Sequence, residues 1–403
     1  MLSVAEARCR ILDRFSSLSP EVVSVADALG RVLAEDLAAR ATHPPQAVSA
    51  MDGYAIRTVD IEALPTELGV VGTVPAGQSF AGEIKPGQAV RIFTGAPLPD
   101  GADAVVIQED TSLNANTVSI HEMPRPGQWI RTAGLDFERG DIRLRAGRRL
   151  SARDVGLAAA MDRPWLTVHR RPRVAVLATG DEVVLPGDPR RANQIVSSNS
   201  IGLCAFLTAS GAESLHLGVA PDDAKALAER VRSAWGCDLL LTTGGASVGD
   251  HDLVKSVLTD LGADLDFWKI AMRPGKPLMF GHLDTMPILG LPGNPVSGLV
   301  CATIFLQPVL ETMQGRPGVV PTNKARLGAP LPENGVRESY LRAATRIDED
   351  GFTMTTAFET QDSSVLSRLA DADALIQRPP SAPPAEVGEF VPIIPLNGAS
   401  QRI

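Results

Sequence analysis

Aromatic residues are scarce, at 4% of 403 residues, with only two tyrosines and four tryptophans. A surface that stacks nucleic-acid bases needs aromatic platforms, so that class of binding is disfavoured. Positive charge is in deficit as well: 38 Lys and Arg stand against 47 Asp and Glu, for a net charge of −9. That balance argues against a general nucleic-acid or anionic-membrane surface, while leaving room for a local basic pocket. There are four cysteines, Cys9, Cys204, Cys237 and Cys301, widely spaced and in apolar-looking surroundings. No C-x-x-C or Cys/His metal spacing occurs, so buried free thiols and a reducing, cytoplasmic setting are expected. The opening MLSVAEARCRILDRF lacks the basic-then-apolar order of a signal peptide. The most apolar region, Pro287 to Leu310, is broken by Pro292, Asn294, Pro295, Gln307 and Pro308. It reads as a core strand and helix rather than a membrane span.

Familiar catalytic signatures are missing too. There is no G-x-S-x-G and no G-x-G-x-x-G, and the six histidines fall at no metal-ligand spacing. The segment RPGKP (273–277) lacks the spacing and the Ser/Thr of a Walker A loop.

What is present is an ordinary globular composition, 44% apolar and 21% charged. The length suits roughly two to four domains with sizeable cores. The central stretch is DLLLTTGGASVGDHD, Asp238 to Asp252. Leu239, Leu240 and Leu241 form a short apolar run that fits a core strand of a parallel sheet. Gly244 and Gly245 then let the chain turn, and Ser247, Gly249 and Asp250 precede a helical pattern from Leu253. Free backbone N–H groups at such a turn favour phosphate, and ligands of open α/β sheets sit outside the carboxyl ends of the strands. Two further stretches repeat the design: VAVLATGDE (174–182) and PILGLPGNP (287–295), where Asn294 is placed as an N-cap and Pro295 as the first helical residue. A plain strand-to-helix turn is the competing reading of each; three such ends could share one sheet edge.

Taken in order, the chain opens with a capping box at Ser3 and Glu6 that starts a helix through about Phe15. Ser24 with Asp27 predicts a second helix near Ala26 to Leu33. A Pro-rich connector, ATHPPQAVSAMDGYA, leads to short strands divided by Gly/Pro clusters, with SLNAN as a hairpin loop. Helical character returns at Ser151 with Asp154. From Arg173 strands and helices alternate, which implies a doubly wound parallel sheet. Beyond RPGVVPTNK strands return and suggest a barrel. The expected fold is therefore multidomain α/β. A split helical domain (1–41 and 138–170) surrounds an inserted small β domain (42–137). An α/β domain (171–315) and a C-terminal β-barrel (316–403) follow.

Acidic residues gather in the loops: Asp52 in SAMDGYA, Glu182 in TGDE, Asp222 in PDD, and Asp250 and Asp252 in GDHD. Carboxylates beside a phosphate cradle suit Mg²⁺, which takes one or two carboxylates plus phosphate oxygens. Acids also cap helices and solvate turns, and the residues alone leave both uses open. Lys269, Arg273 and Lys276 form a basic cluster able to neutralise an anion, or simply a solvated loop.

Together these stretches resemble the MoeA family, the molybdopterin molybdenumtransferases, which includes the gephyrin E domain. The matching segments are SAMDGYA (49–55), RIFTGAPLPDGADAVVIQED (91–110), VAVLATGDE (174–182), LLLTTGGASVGDHDLVK (239–255), FWKIAMRPGKP (267–277) and LPGNPVSG (291–298). They fall in the family's order over nearly the whole chain. The resemblance implies an elongated homodimer whose site lies between the α/β domain of one subunit and the inserted domain of the other. It implies insertion of molybdenum from molybdate into adenylylated molybdopterin, with release of AMP and dependence on Mg²⁺. The adenylyltransferase of the same pathway is an implied partner. By motif, the catalytic positions are Asp52, Thr94, Asp136, Glu182, Asp222, Asp252, Lys269, Arg273, Arg342 and Ser363. Glu182, Asp222 and Asp252 are the implied metal ligands. Gly244, Gly245, Ser247, Gly249, Lys276, Pro292, Gly293 and Asn294 are the implied substrate-binding set. Arg273 stands where many members carry Lys, and Leu135 replaces an acid often found before Asp136. Two rival readings are a molybdopterin adenylyltransferase and a non-catalytic molybdopterin-binding scaffold.

Overall fold

The computed structural model describes residues 1–244 and 253–396. Its organising element is a six-stranded sheet of β1 (Arg173–Thr179), β2 (Glu213–Ala220), β3 (Leu239–Thr243), β4 (Asp264–Lys269), β5 (Pro277–Leu283) and β6 (Met286–Leu291), in the spatial order β2-β1-β3-β6-β5-β4. Strands β2, β1, β3 and β6 run parallel. Strand β5 is antiparallel to β6, and β4 antiparallel to β5.

The apolar runs explain the burial. Every residue of β3 is buried, as a strand covered on both faces requires. Val174 and Val176 point into one core with Leu203 and Leu207 of the helix Asn199–Ala209 and with Val296, Phe305 and Leu310. Ala175 and Leu177 point into the other, with Leu227 and Val231 of the helix Ala224–Arg232 and Val254 and Leu258 of the helix Leu253–Asp260. This is the doubly wound arrangement expected. The connection from β1 runs to β2 on one side, while β3 lies on the other, so the strand order reverses between β1 and β3.

Pro295–Met313 is helical throughout, with a π turn at Ala302–Leu306. It is long and apolar enough to cross a membrane by length and composition, but 72% of it is buried inside the protein, as a core helix would be.

The two sequence pieces on either side of the inserted region pair with each other. Pro20–Ser24 lies antiparallel to Trp165–His169, and Leu37–Ala38 to Ile142–Leu144. Ser3/Glu6 and Ser151/Asp154 both form full capping boxes, opening the helices Val4–Leu12 and Ala152–Ala160. The helix expected near Ala26 to Leu33 is instead a single 3-10 turn, Val25–Asp27. Gly30 adopts a left-handed conformation (φ 75°). Val32 and Leu33 then make backbone bridges to Arg149 and Val168, burying their side chains by pairing rather than by coiling. Cys9 corrects another expectation. It is exposed, because Val4, Ala7 and Ile11 take the core side of its helix. Cys204 and Cys237 are half-buried; Cys301 is buried, which pushes its thiol pKa well up.

The inserted region builds a six-stranded sheet from Gly53–Ile56, Thr66–Val74, Gln88–Ile92, Ala104–Ile107, Thr111–Asn114 and Thr117–Ile120. The last two form the anticipated hairpin. Near the C-terminus β7 (Asn323–Leu327), β8 (Glu338–Ile347), β9 (Thr353–Ala357), β10 (Ala374–Arg378) and β11 (Phe390–Pro395) close a barrel through the pairs β8–β9, β9–β7, β7–β11, β11–β10 and β10–β8. The short strand Met272–Arg273 adds to β8 from outside.

Candidate active site

Strand directions bring eight of the predicted residues to one edge. β2 ends before Pro221-Asp222, β1 before Gly180–Glu182, β3 before Gly244, and β6 before Pro292–Asn294. Lys276 precedes β5 and Lys269 ends β4, both at this same edge because of the two antiparallel pairings. Six strands at ~4.8 Å spacing span about 24 Å. Along that line the side chains pass from carboxylates, through glycine turns, to cations.

The middle of the edge is tightly built. Gly244 has φ 88°, and a Cβ there would stand 2.5 Å from the Thr179 carbonyl oxygen, so only glycine lets the β3 turn lie against the end of β1. A Cβ on Gly293 would be 3.4 Å from the Gly244 Cα, which puts the Pro-Gly-Asn-Pro turn directly beside the Gly-Gly turn. Asn199 ties these together: its Nδ2 donates to the Gly293 carbonyl (2.6 Å) and to Thr243 Oγ1 (3.1 Å). Motif matching passed over Asn199; its only signal is a side-chain amide at the head of the helix that follows TGDE. The Thr179 hydroxyl is buried with no hydrogen-bond partner among the described residues. Such an unmatched group costs roughly 1–3 kcal/mol.

At the acidic end, Glu182 and Asp222 are exposed. The Asp222 N–H donates to Asp181 Oδ1 at 3.1 Å, joining the two loops. Asp223 is spent as an N-cap, accepting from the Ala226 N–H at 2.8 Å, which leaves Asp222 the uncommitted member of the pair. Among the described residues no group of three His, Cys, Asp or Glu side chains is arranged to hold a metal. Gly245, Ser247, Gly249, Asp250 and Asp252 lie outside the described residues.

At the basic end, Lys269 and Arg273 are exposed and Lys276 half-buried. The Ile270 N–H donates to the Lys276 carbonyl (3.0 Å) and closes the loop between them. Arg273 also lines a cavity of about 190 Å³ against the barrel, with Tyr340, Gln361 and Arg378.

Two expected roles change. Asn294 occupies the N-cap position ahead of Pro295, yet its side chain makes no capping bond. Its Nδ2 instead donates to Ser363 Oγ at 2.9 Å, and the Val296 N–H at the helix start donates to the Ser363 carbonyl at 3.3 Å. Arg342, placed among the catalytic positions by motif, is 1% exposed. Its guanidinium donates to the backbone carbonyls of Asp362 (2.8 Å), Val365 (3.3 Å) and Thr360 (3.3 Å) and to Gln361 Oε1 (3.3 Å). With its donors turned to the protein, it supports the loop that carries Ser363 rather than facing a ligand.

Asp52, Thr94 and Asp136 stand apart. Asp52 Oδ1 accepts from the Thr94 N–H (2.8 Å) and hydroxyl (2.7 Å). The bonds from Thr94, backbone first, hold its carboxyl below the usual carboxylate range, with Arg91 adding to the effect. Asp136 is exposed beside Leu135, and its N–H donates to the His43 carbonyl (3.1 Å). Among the described residues no hydrogen bond or ion pair joins these three side chains to the sheet edge.

A doubly wound sheet with glycine turns, acids and cations along its carboxyl edge has the form of a ligand-binding α/β domain. Residues 175–312 match the family model described as "Probable molybdopterin binding domain". Residues 2–161 match the MoeA N-terminal region (domain I and II), and residues 324–396 the MoeA C-terminal region (domain IV). The molybdopterin molybdenumtransferase of Nostoc sp. is 37% identical over 374 residues, covering 90% of this chain and 86% of its own. That of Haemophilus influenzae is 34% identical over 402 residues, covering 98% and 99%. A crystal structure of the molybdopterin biosynthesis MoeA protein from Pyrococcus horikoshii OT3 superposes with a TM-score of 0.82 at 29% identity, covering 98% of this chain and 100% of that one. The chain belongs to the MoeA family; it is a transferase of molybdenum cofactor biosynthesis.

Proposed function

We propose that the chain inserts molybdenum from molybdate into adenylylated molybdopterin and releases AMP. The observation that carries this is the graded sheet edge, where glycine turns lie between exposed carboxylates and exposed cations. The turns at Gly180, Gly244 and Gly293 seat the phosphates, and the Thr179 hydroxyl, unpartnered among the described residues, offers a polar contact there. Lys269, Arg273 and Lys276 draw molybdate and the pterin phosphate to one end. Glu182 and Asp222 face the pyrophosphate at the other; Asp252, the third acid of the proposed set, lies outside the described residues. Two carboxylates on adjacent turns fit Mg²⁺, which completes its shell with water and phosphate oxygens; when bound it would neutralise phosphate charge. The metal–sulfur chemistry belongs to the pterin dithiolene, and the protein contributes orientation and charge.

The same reading makes the working unit a cytoplasmic homodimer of chains divided at 1–41 with 138–170, 42–137, 171–315 and 316–403. The adenylyltransferase of the pathway is a proposed partner. Purified protein given adenylylated molybdopterin, molybdate and Mg²⁺ should release AMP, and Glu182→Gln should bind the pterin without doing so. Full turnover by that variant would remove Glu182 from the mechanism.

A further inference from the structure

The barrel reaches the Pro-Gly-Asn-Pro turn through the loop of residues 358–365, and Gln361, outside the expected site residues, shapes that loop. Gln361 lies against β8 like an added rung. Its Oε1 accepts from the Arg342 N–H (3.0 Å) and Nε (3.3 Å), and its Nε2 donates to the carbonyls of Arg342 (2.9 Å) and Phe358 (2.8 Å). The carboxamide's donor and acceptor positions are all used, so it has one orientation. Arg342 then holds the carbonyls of Thr360, Asp362 and Val365. Asp362 Oδ1 accepts from the Ser364 N–H (2.8 Å) and hydroxyl (2.6 Å), which fixes the far side of Ser363. Ser363 thus meets Asn294 through its hydroxyl and Val296 through its carbonyl. Asn294 follows Gly293, the residue packed on Gly244.

We infer that Gln361 is a positioning residue of the transferase, acting with Arg342. They act through the Ser363–Asn294 contact to set the turn that seats the phosphates. The inference rests on the function proposed above. A buried guanidinium on a fully bonded carboxamide is a rigid support, and small misplacements of a substrate-seating turn cost rate more than affinity.

The test uses the full-length protein. Gln361→Ala should lower kcat ~10-fold or more, with KM for molybdate and for adenylylated molybdopterin within about threefold of wild type. Ser363→Ala should fall in the same direction. The double variant should be no worse than Gln361→Ala alone to within about twofold, because both lie on one chain of contacts. Gln361→Glu, which keeps the acceptor toward Arg342, should recover part of the loss. Without any substrate, the Val296 amide should exchange hydrogen at least ~10-fold faster in Gln361→Ala. A normal kcat, multiplying losses, or unchanged exchange at Val296 would each overturn the inference. If Gln361→Ala does not fold, Asn294→Ala and Ser363→Ala, both at the surface side of the contact, carry the same comparison. A wild-type protein that releases no AMP would sink the proposed function instead, and the exchange result would still stand on its own.

Discussion

A shared site predicts complementation between two inactive proteins. Asp52 bonds to Thr94 within the inserted sheet, and its hydrogen bonds do not extend to Glu182 on the central sheet. If the catalytic crevice takes Asp52 from one subunit and Glu182 from its partner, Asp52→Asn and Glu182→Gln should each reduce AMP release by roughly a hundredfold or more as pure homodimers. Neither side chain is buried and both changes keep shape, so folding should be intact. In a mixed dimer one site carries both substitutions and the other carries neither. Random reassociation at equal concentration makes about half the dimers mixed, with half their sites native, so activity should recover to about a quarter of wild type. The assay is AMP release after co-expression with two affinity tags and isolation of the doubly tagged dimer, which should show about half. Doubly tagged dimers no more active than either parent would refute a site divided between subunits.

Three further outcomes follow from local geometry. Gly244→Ala places a methyl 2.5 Å from the Thr179 carbonyl oxygen at φ 88°; urea denaturation should show a loss of ~1–3 kcal/mol, and an unchanged midpoint would contradict the crowding. Arg342→Met leaves the carbonyls of Thr360, Asp362 and Val365 without these donors, so about 3 kcal/mol or more should be lost, read as a lowered Tm. Burial pushes the Asp154 carboxyl up, but hydrogen bonds from Arg148 and Ser151 outweigh it and the net pKa is lowered. That stabilisation is present above the unfolded carboxyl pKa near ~4 and fades as pH falls through the lower folded value. Asp154→Asn should therefore cost ~1–2 kcal/mol at neutral pH, with the gap to wild type closing in acid; a gap independent of pH would show that the charge is not responsible.

The central sheet was legible because strands buried on both faces are written as continuous apolar runs, as Leu239–Leu241 are, with glycine where each run stops. Capping boxes at Ser3 and Ser151 were legible because their bonds are made three residues apart. Ser24 carried a similar signal and misled, since Leu33 gained more by pairing with Val168, over a hundred positions away. Asn199, Gln361 and the buried state of Arg342 follow from contacts across 44, 19 and 20 residues, and no periodicity encodes those. Asn294 shows the limit from the other side: its residue type and place before Pro295 are those of a cap, but a barrel loop supplies the helix's partner and takes the amide for itself.

Met272–Arg273 hydrogen-bonds in parallel register beside Glu338–Ser339. The loop bearing Arg273 is thus stitched to a cylinder encoded fifty and more residues later. Cutting the chain near residue 315 would therefore do more than remove a module. It would strip one support from the cationic arm, leaving it held by Leu2 and by its packing on the central core.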